Sequence, residues 1–167
     1  QNNTVMGKSA ATTLTSGHEN AVFGQEAFGS ATSAYQSVAV GALALNDVTT
    51  PGGNIGIGYK AGEKITTGSN NIAIGFESFA SHTTTSTSVA IGYRSQKFAT
   101  NTSNVSVGGH TMESASCTGQ MNTAVGTQAM ASLTTGSFNA AFGRRSGFAI
   151  TTGGTNSFFG NGSGQAV

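Results

Sequence analysis

Proline, cysteine, tryptophan and charge are all scarce in this chain, and each scarcity excludes something. Its 167 residues include one Pro, one Cys and no Trp, and only 8% are charged. One proline excludes a proline-rich linker and a collagen-like chain. One cysteine, Cys117, excludes an intrachain disulfide framework and leaves too few soft ligands for a structural zinc site. An ordinary domain carries roughly 25% charged residues, and a disordered tail needs charge or proline to stay open. Low charge therefore argues for a packed chain. The seven Lys and Arg are scattered, with Arg144 and Arg145 the only adjacent pair, and the formal net charge is +1. No basic stripe exists for nucleic acid. No apolar run is long enough to span a membrane, so membrane insertion is not expected. No signal-peptide pattern is visible, and the sequence opens on Gln1, as expected of a mature protein or an excised segment.

Glycine is what the chain has in excess: 25 residues, about twice the roughly 7% of average usage. Ten of them keep time. They are Gly7, Gly24, Gly41, Gly58, Gly75, Gly92, Gly108, Gly126, Gly143 and Gly160, spaced by 17 residues except for one step of 16 followed by one of 18. Such a period is the signature of a repeat architecture.

The four residues before each marker glycine read as a strand. The residue just before Gly is always large and apolar, as in Val40, Ile57, Ile74 and Ile91. The residue three before is often β-branched, as in Val38, Ile55, Ile72, Val89 and Val105. In a strand these two positions point the same way, which predicts that they form the inner stack. The residue between them, as in Ala39, Gly56, Ala73 and Ala90, is small. It is expected on the opposite face, as a small apolar stripe closed against another chain or within a thin two-sided sheet.

Four before each glycine stands Asn in eight units and Ser37 or Ser88 in two. These are side chains that shape turn entries or stack as an amide ladder. Three after Gly the side chain is always small. The seventh position is often apolar (Leu14, Val48, Ile65, Leu133, Ile150) and is expected to anchor a second strand. The eighth carries a hydroxyl in nine consecutive units, from Thr15 through Ser116 to Thr151. A 17-residue coil cannot bury a core alone, but stacked coils can. The fold expected is all-β: one domain over 1–167, a parallel β-solenoid of about ten 17-residue coils, as a parallel homotrimer.

The strands NTAVG at 122–126, SVAIG at 88–92 and NIAIG at 71–75 resemble head repeats of trimeric autotransporter adhesins, which form a left-handed parallel β-roll. The longer unit, NTAVGTQAMASLTTGSFNAAFG at 122–143, is similar to repeats of bacteriophage tail fibres and related surface fibres. The resemblance covers the whole chain, although the adhesin unit is shorter than 17 residues. It implies a homotrimer, an extracellular place on a virion tail fibre or bacterial surface, and attachment to a cell-surface glycan or protein.

An enzyme is not expected. No repeat phase brings two of the six carboxylates together, as glycoside hydrolysis requires. His18, His82 and His110 fall at different phases and are expected at the surface or in turns, not in a ligand ladder. No cofactor and no metal is expected, and Cys117 reads as an inert variant of the Thr position and not as a nucleophile. The Thr column raises ice binding as an alternative, and a fibre strut or depolymerase scaffold is another.

Ligand contacts are sought where the repeat varies. The residue after Gly is Tyr59, Phe76 and Tyr93 in three consecutive units, and the next position supplies Lys60, Glu77 and Arg94. Tyr59, Phe76, Tyr93, Lys60 and Arg94 are the candidate ligand-binding set. A stacked aromatic strip beside polar groups suits sugar rings or a protein epitope. A bend at Gly would instead turn the strip into the core.

Overall fold

The computed structural model describes residues 2–50, 52–98, 100, 103–114 and 117–165. It is an all-β parallel solenoid with one sheet of ten three-residue strands. They are β1 (Thr4–Met6), β2 (Ala21–Phe23), β3 (Val38–Val40), β4 (Ile55–Ile57), β5 (Ile72–Ile74), β6 (Val89–Ile91), β7 (Val105–Val107), β8 (Thr123–Val125), β9 (Ala140–Phe142) and β10 (Ser157–Phe159). Each pairs in parallel with the next in chain order, so Val40 lies beside Ile57, Ile57 beside Ile74, and Ile74 beside Ile91. At about 4.8 Å per strand the rod is on the order of 45 Å long.

The expected inside and outside are exchanged. In every strand from β2 to β9 the middle residue is the buried one. The stripe Ala39, Ala73 and Ala90 is fully buried in this chain's own core, not against another chain. Val40, Ile57, Ile74 and Ile91 stack as expected, but on the outer face. Volume decides between the two registers. The fourth residue after Gly also turns inward, and it is bulky: Phe28, Leu45, Phe79, Met112 and Met130 are all fully buried. A methyl added at Gly56 would sit 2.7 Å from Leu45 Cγ. Where the strand residue is itself large, at Phe158, the partner is Gly147, whose added methyl would meet the Phe158 ring at 2.9 Å.

The second strand expected around the seventh position is not formed among the described residues. That position is buried at Val48, Ile65, Leu133 and Ile150, but the chain reaches it through turns. Left-handed residues make those turns: Lys60 (φ 56) and Glu77 (φ 50) two after Gly, and Leu45 (φ 48) and Phe79 (φ 55) four after. Even there the backbone bonds between coils, as from Lys60 N to Ala42 O at 3.0 Å and from Glu77 N to Tyr59 O at 2.9 Å.

The marker glycines sit where two coils nearly touch. Gly75 has φ +126, and an added Cβ would lie 2.6 Å from the carbonyl oxygen of Gly92. The Asn column is the amide ladder anticipated. Asn54 Oδ1 accepts from Asn71 N (3.1 Å) and Asn71 Nδ2 (3.2 Å), while Asn71 Nδ2 also donates to Thr85 O at 2.7 Å. The Thr column donates between coils in the same way, from Thr49 Oγ1 to Thr66 O (3.1 Å) and from Thr66 Oγ1 to Thr83 O (3.0 Å). Ser116 of that column lies outside the described residues. In its coil Thr118 keeps the register, donating its amide to Thr134 O at 2.6 Å.

The core is not uniform. One apolar cluster runs from Val22 to Ala90 and a second from Met112 to Ile150, with Cys117 in the second. Between them lies a polar band in which Ser95, Gln96, Ser106 and Thr111 are fully buried. Ser95 Oγ lies 2.7 Å from Ser106 Oγ and 3.1 Å from Thr111 Oγ1. Ser78 Oγ and Gln96 Oε1 are buried without a hydrogen-bond partner, which costs about 1–3 kcal/mol each.

His82 borders this band and is fully buried, contrary to the surface or turn placement expected from sequence. It occupies the apolar seventh position, its ring stacked on Phe79 with centroids 3.5 Å apart. Nε2 lies 2.6 Å from Gln96 O and Nδ1 3.2 Å from Thr85 Oγ1. The neutral ring with its proton on Nε2 satisfies both contacts. Burial drives its pKa down to about 3, with the Gln96 carbonyl opposing.

The backbone and His82 together generate three expected outcomes. Gly75→Ala is expected to cost at least about 3 kcal/mol or to prevent folding, since it adds a clash to a left-handed φ. Thr87→Gly, at an exposed β-branched residue with φ 60, is expected to raise stability by up to about 1 kcal/mol. Urea midpoints read both. The folded pKa of His82 lies below the unfolded value, so its contribution is complete above pH ~6.5 and is lost toward pH ~3, at about 1.4 kcal/mol per pH unit. His82→Leu is expected to flatten the stability profile between pH ~6.5 and ~5, above the carboxylate range. A profile as steep as that of the parent protein would contradict the buried neutral ring.

Candidate ligand-binding face

Each residue after a marker glycine leaves the strand at the bend and projects from the rod. Consecutive coils carry Tyr59, Phe76 and Tyr93 at this position, and the three residues are 42%, 43% and 48% exposed. The inward placement is therefore not adopted. The centroid of Tyr59 is 5.2 Å from that of Phe76, and Phe76 is 5.4 Å from Tyr93, with interplanar angles of 26° and 13°. The spacing of the coils sets the spacing of the rings. His110 closes the series edge-on against Tyr93 at 5.1 Å.

Beside the rings runs a charged column. Lys60 Nζ lies 5.7 Å from the Tyr59 centroid and 3.4 Å from Glu63 Oε2. Arg94 Nε lies 3.4 Å from Glu77 Oε2 and 3.2 Å from Glu113 Oε1. Lys97 Nζ meets Glu77 Oε2 at 2.5 Å, and His110 Nδ1 meets Glu113 Oε2 at 2.5 Å. The hydrogen bond from Lys97 holds the Glu77 carboxyl below the usual carboxylate range, with Lys97, Arg94 and Lys60 charges adding and burial opposing. Nearby, Lys64 Nζ reaches Asp47 at 3.0 Å, and this bond raises its pKa.

The five sequence candidates thus lie on one face, and the structure brings further residues to them. Glu77 and Glu113 do converge, through Arg94, although no repeat phase announced it. Glu63, Lys97, His110 and Glu113 had no place in the sequence set. The available signal was a spacing of three residues repeated in three coils: Lys60 with Glu63, Arg94 with Lys97, and His110 with Glu113. The turn folds those two positions onto one side.

Other stacks lie elsewhere on the rod. His18 stacks on Tyr35 with centroids 5.6 Å apart, and Phe142 stacks on Phe159 at 5.3 Å on the outer sheet face. Among the described residues no group of three or more His, Cys, Asp or Glu is placed to hold a metal ion. No family model, curated protein or solved structure matches the chain. What the structure itself establishes is a parallel β-solenoid, compatible with solenoid repeats.

Proposed function

We propose that this chain is a non-enzymatic segment of a virion or bacterial surface fibre, extracellular, that binds a cell-surface glycan or protein. The observation that carries the reading is the solvent-facing stack of Tyr59, Phe76 and Tyr93 on a rigid frame. Exposed flat rings at fixed spacing, flanked by ordered charges, give a ligand apolar faces and hydrogen-bonding edges at little entropic cost. Glu77 is held ionised by cations, which suits positioning better than proton transfer. Ice binding draws less support, because the Thr49, Thr66 and Thr134 hydroxyls already donate to backbone carbonyls of the next coil.

The same reading includes self-association, by way of the outer sheet face. Val40, Ile57 and Val105 are among its exposed large apolar side chains. The column just before the marker glycines, from Met6 through Ile57 and Ile74 to Phe159, is apolar along the whole sheet, and a continuous apolar stripe of that kind marks an interaction surface. A parallel homotrimer would cover this face and leave the aromatic strip, one residue beyond it, at the rim.

Ile74→Glu is expected to separate the chains while leaving each folded. Ala73→Glu is expected to unfold them, because it buries a charge inside one chain. Light scattering with circular dichroism reads both outcomes, and a parent protein of 16.6 kDa in solution would refute the trimer. For binding, a Tyr59→Ala and Tyr93→Ala double variant is expected to lose adhesion to host cells or immobilised glycans. Its stability cost should stay within about 4 kcal/mol, the upper scale of the ring contacts with Phe76 and His110 that it removes. Undiminished adhesion would remove the strip from the reading.

A further inference from the structure

The two outward-facing columns of the sheet vary in size together. Just before the marker glycine the side chain is largest near the ends of the rod, at Phe23, Phe142 and Phe159. In the same strands the residue three before glycine is small: Ala21, Ala140 and Ser157. In the middle strands both are of intermediate size, as in Val38 with Val40 and Ile55 with Ile57. Each strand thus presents a similar volume outward, divided differently between its two columns. Water imposes no such constraint, since side chains on a solvated surface change at little cost. Packed surfaces do impose it, because there an added or missing methylene is felt. Yet Phe142 and Phe159 are 38% and 68% exposed in the single chain.

The surface that matches this profile is the same face of a second copy. A rotation axis along the rod, two-fold or three-fold, brings the column just before glycine of one copy against the column three before glycine of the next, coil for coil. Phe23 then meets Ala21, Phe142 meets Ala140 and Phe159 meets Ser157, so every large side chain finds a small one. Copies running in opposite directions bring like columns together, with β2 facing β9. Phe23 then meets Phe142, and Ala21 meets Ala140 across a gap. The volume profile therefore selects the parallel arrangement.

We infer that copies of this chain associate in parallel and level with one another, the column just before glycine of each seated on the column three before glycine of its neighbour. This rests on the reading of the outer sheet face as a self-association surface, and it specifies the register and the residue pairs. The flanks agree with it. Beyond the first column stand Tyr59, Phe76 and Tyr93, and beyond the second the same coils carry Gly53, Asn70 and Thr87. Small residues opposite the rings leave their edges open to a ligand. Arg144 comes level with the neighbour's Phe138, which is 61% exposed in the single chain, a cation beside a ring. No like charges meet across the flanks at any coil. The strand face alone, about 45 Å by about 10 Å, offers roughly 450 Å² per copy, short of the ~800 Å² per partner of a stable interface. The two flanking columns, at about 7 Å each, raise it to roughly 1,000 Å².

Sedimentation equilibrium and oxidative crosslinking of the whole chain test the pairing. Ala140→Phe sets two large side chains against each other and is expected to weaken self-association at least about tenfold. The double variant Ala140→Phe with Phe142→Ala exchanges the two columns and is expected to restore it to within about threefold. Circular dichroism of each variant is expected to match that of the parent, because both positions lie outside the core. A Val38→Cys and Val40→Cys double variant is expected to form covalent oligomers on oxidation, while the parent, whose Cys117 is buried, forms none. Chains carrying Val40→Cys and Val125→Cys, co-expressed with tags of different size, report the opposite orientation and are expected to give no 40-to-125 link. Undiminished association of Ala140→Phe, no rescue by the exchange, no 38-to-40 link between copies, or a 40-to-125 link would each overturn the inference while the chain still self-associates. A monomeric parent removes the self-association reading, and this pairing with it. Level, crosslinked copies that do not adhere to host cells sink the surface-binder reading alone.

Discussion

Backbone hydrogen bonding from each coil to the next is the interaction on which everything else in this protein depends. It holds in the strands, as from Gly75 N to Ile57 O at 2.8 Å, and it continues through the turns, as from Arg94 N to Phe76 O at 2.9 Å. Once each residue must bond to its counterpart one coil away, coil length is nearly fixed and every position becomes a column. The marker glycines follow, because coils so close leave no room for a Cβ. The Asn ladder follows too, since amide groups between stacked turn entries need partners that sheet pairing does not supply. The 16- and 18-residue steps leave the sheet in register, with Val89 beside Val105 and Val105 beside Thr123. The length change is taken up in the turn, where Thr118 takes over pairing with Thr134.

The period, the strands and the Asn and Thr columns were legible because they follow from this stacking. The sense of the sheet was not. Alternation in a strand shows which residues share a face, but the same pattern fits either face inward. Val38 and Val40 look like core because they are large. They are outside because the left-handed turn at Leu45 brings a bulky side chain in beside small Ala44 and leaves space only for Ala39 and Gly56. Two adjacent side chains that enter the same core, as Ala44 and Leu45 do, cannot come from an extended strand, so a reading built on strand periodicity misses both the turn and the reversal. His82 was misplaced for a related reason: the seventh position was recognised as apolar, yet a neutral ring satisfied at both nitrogens packs there as a hydrophobe.

The aromatic strip was legible as a set and ambiguous as a surface. Its register came from the repeat, but its exposure depends on how the chain bends at Gly58, Gly75 and Gly92. The charges that order its neighbourhood come from positions two and five after glycine, which are brought together only by the left-handed turn. Composition could not show that Arg94 gathers Glu77 and Glu113, because those residues are 36 positions apart and belong to different coils.

The strip and the polar band meet at the coil that carries Tyr93, and this has a physical consequence. Ser95, Gln96, Ser106 and Thr111 replace apolar core residues where Tyr93, His110 and the Arg94 ion pairs cross the coils outside. Exposed ion pairs contribute only about 0–1 kcal/mol each and stacked aromatics about 0.5–1.5 kcal/mol. Together they are comparable to the cost of the two unpartnered buried oxygens at Ser78 and Gln96. The surface contacts therefore act as a staple over the least apolar stretch of core. In a quasi-one-dimensional array a weak interface between neighbouring units limits the cooperativity of the whole. A ligand that extends from Tyr59 and Phe76 to Tyr93 would add contacts at the edge of that interface, so binding and coil-to-coil stability are linked through Tyr93.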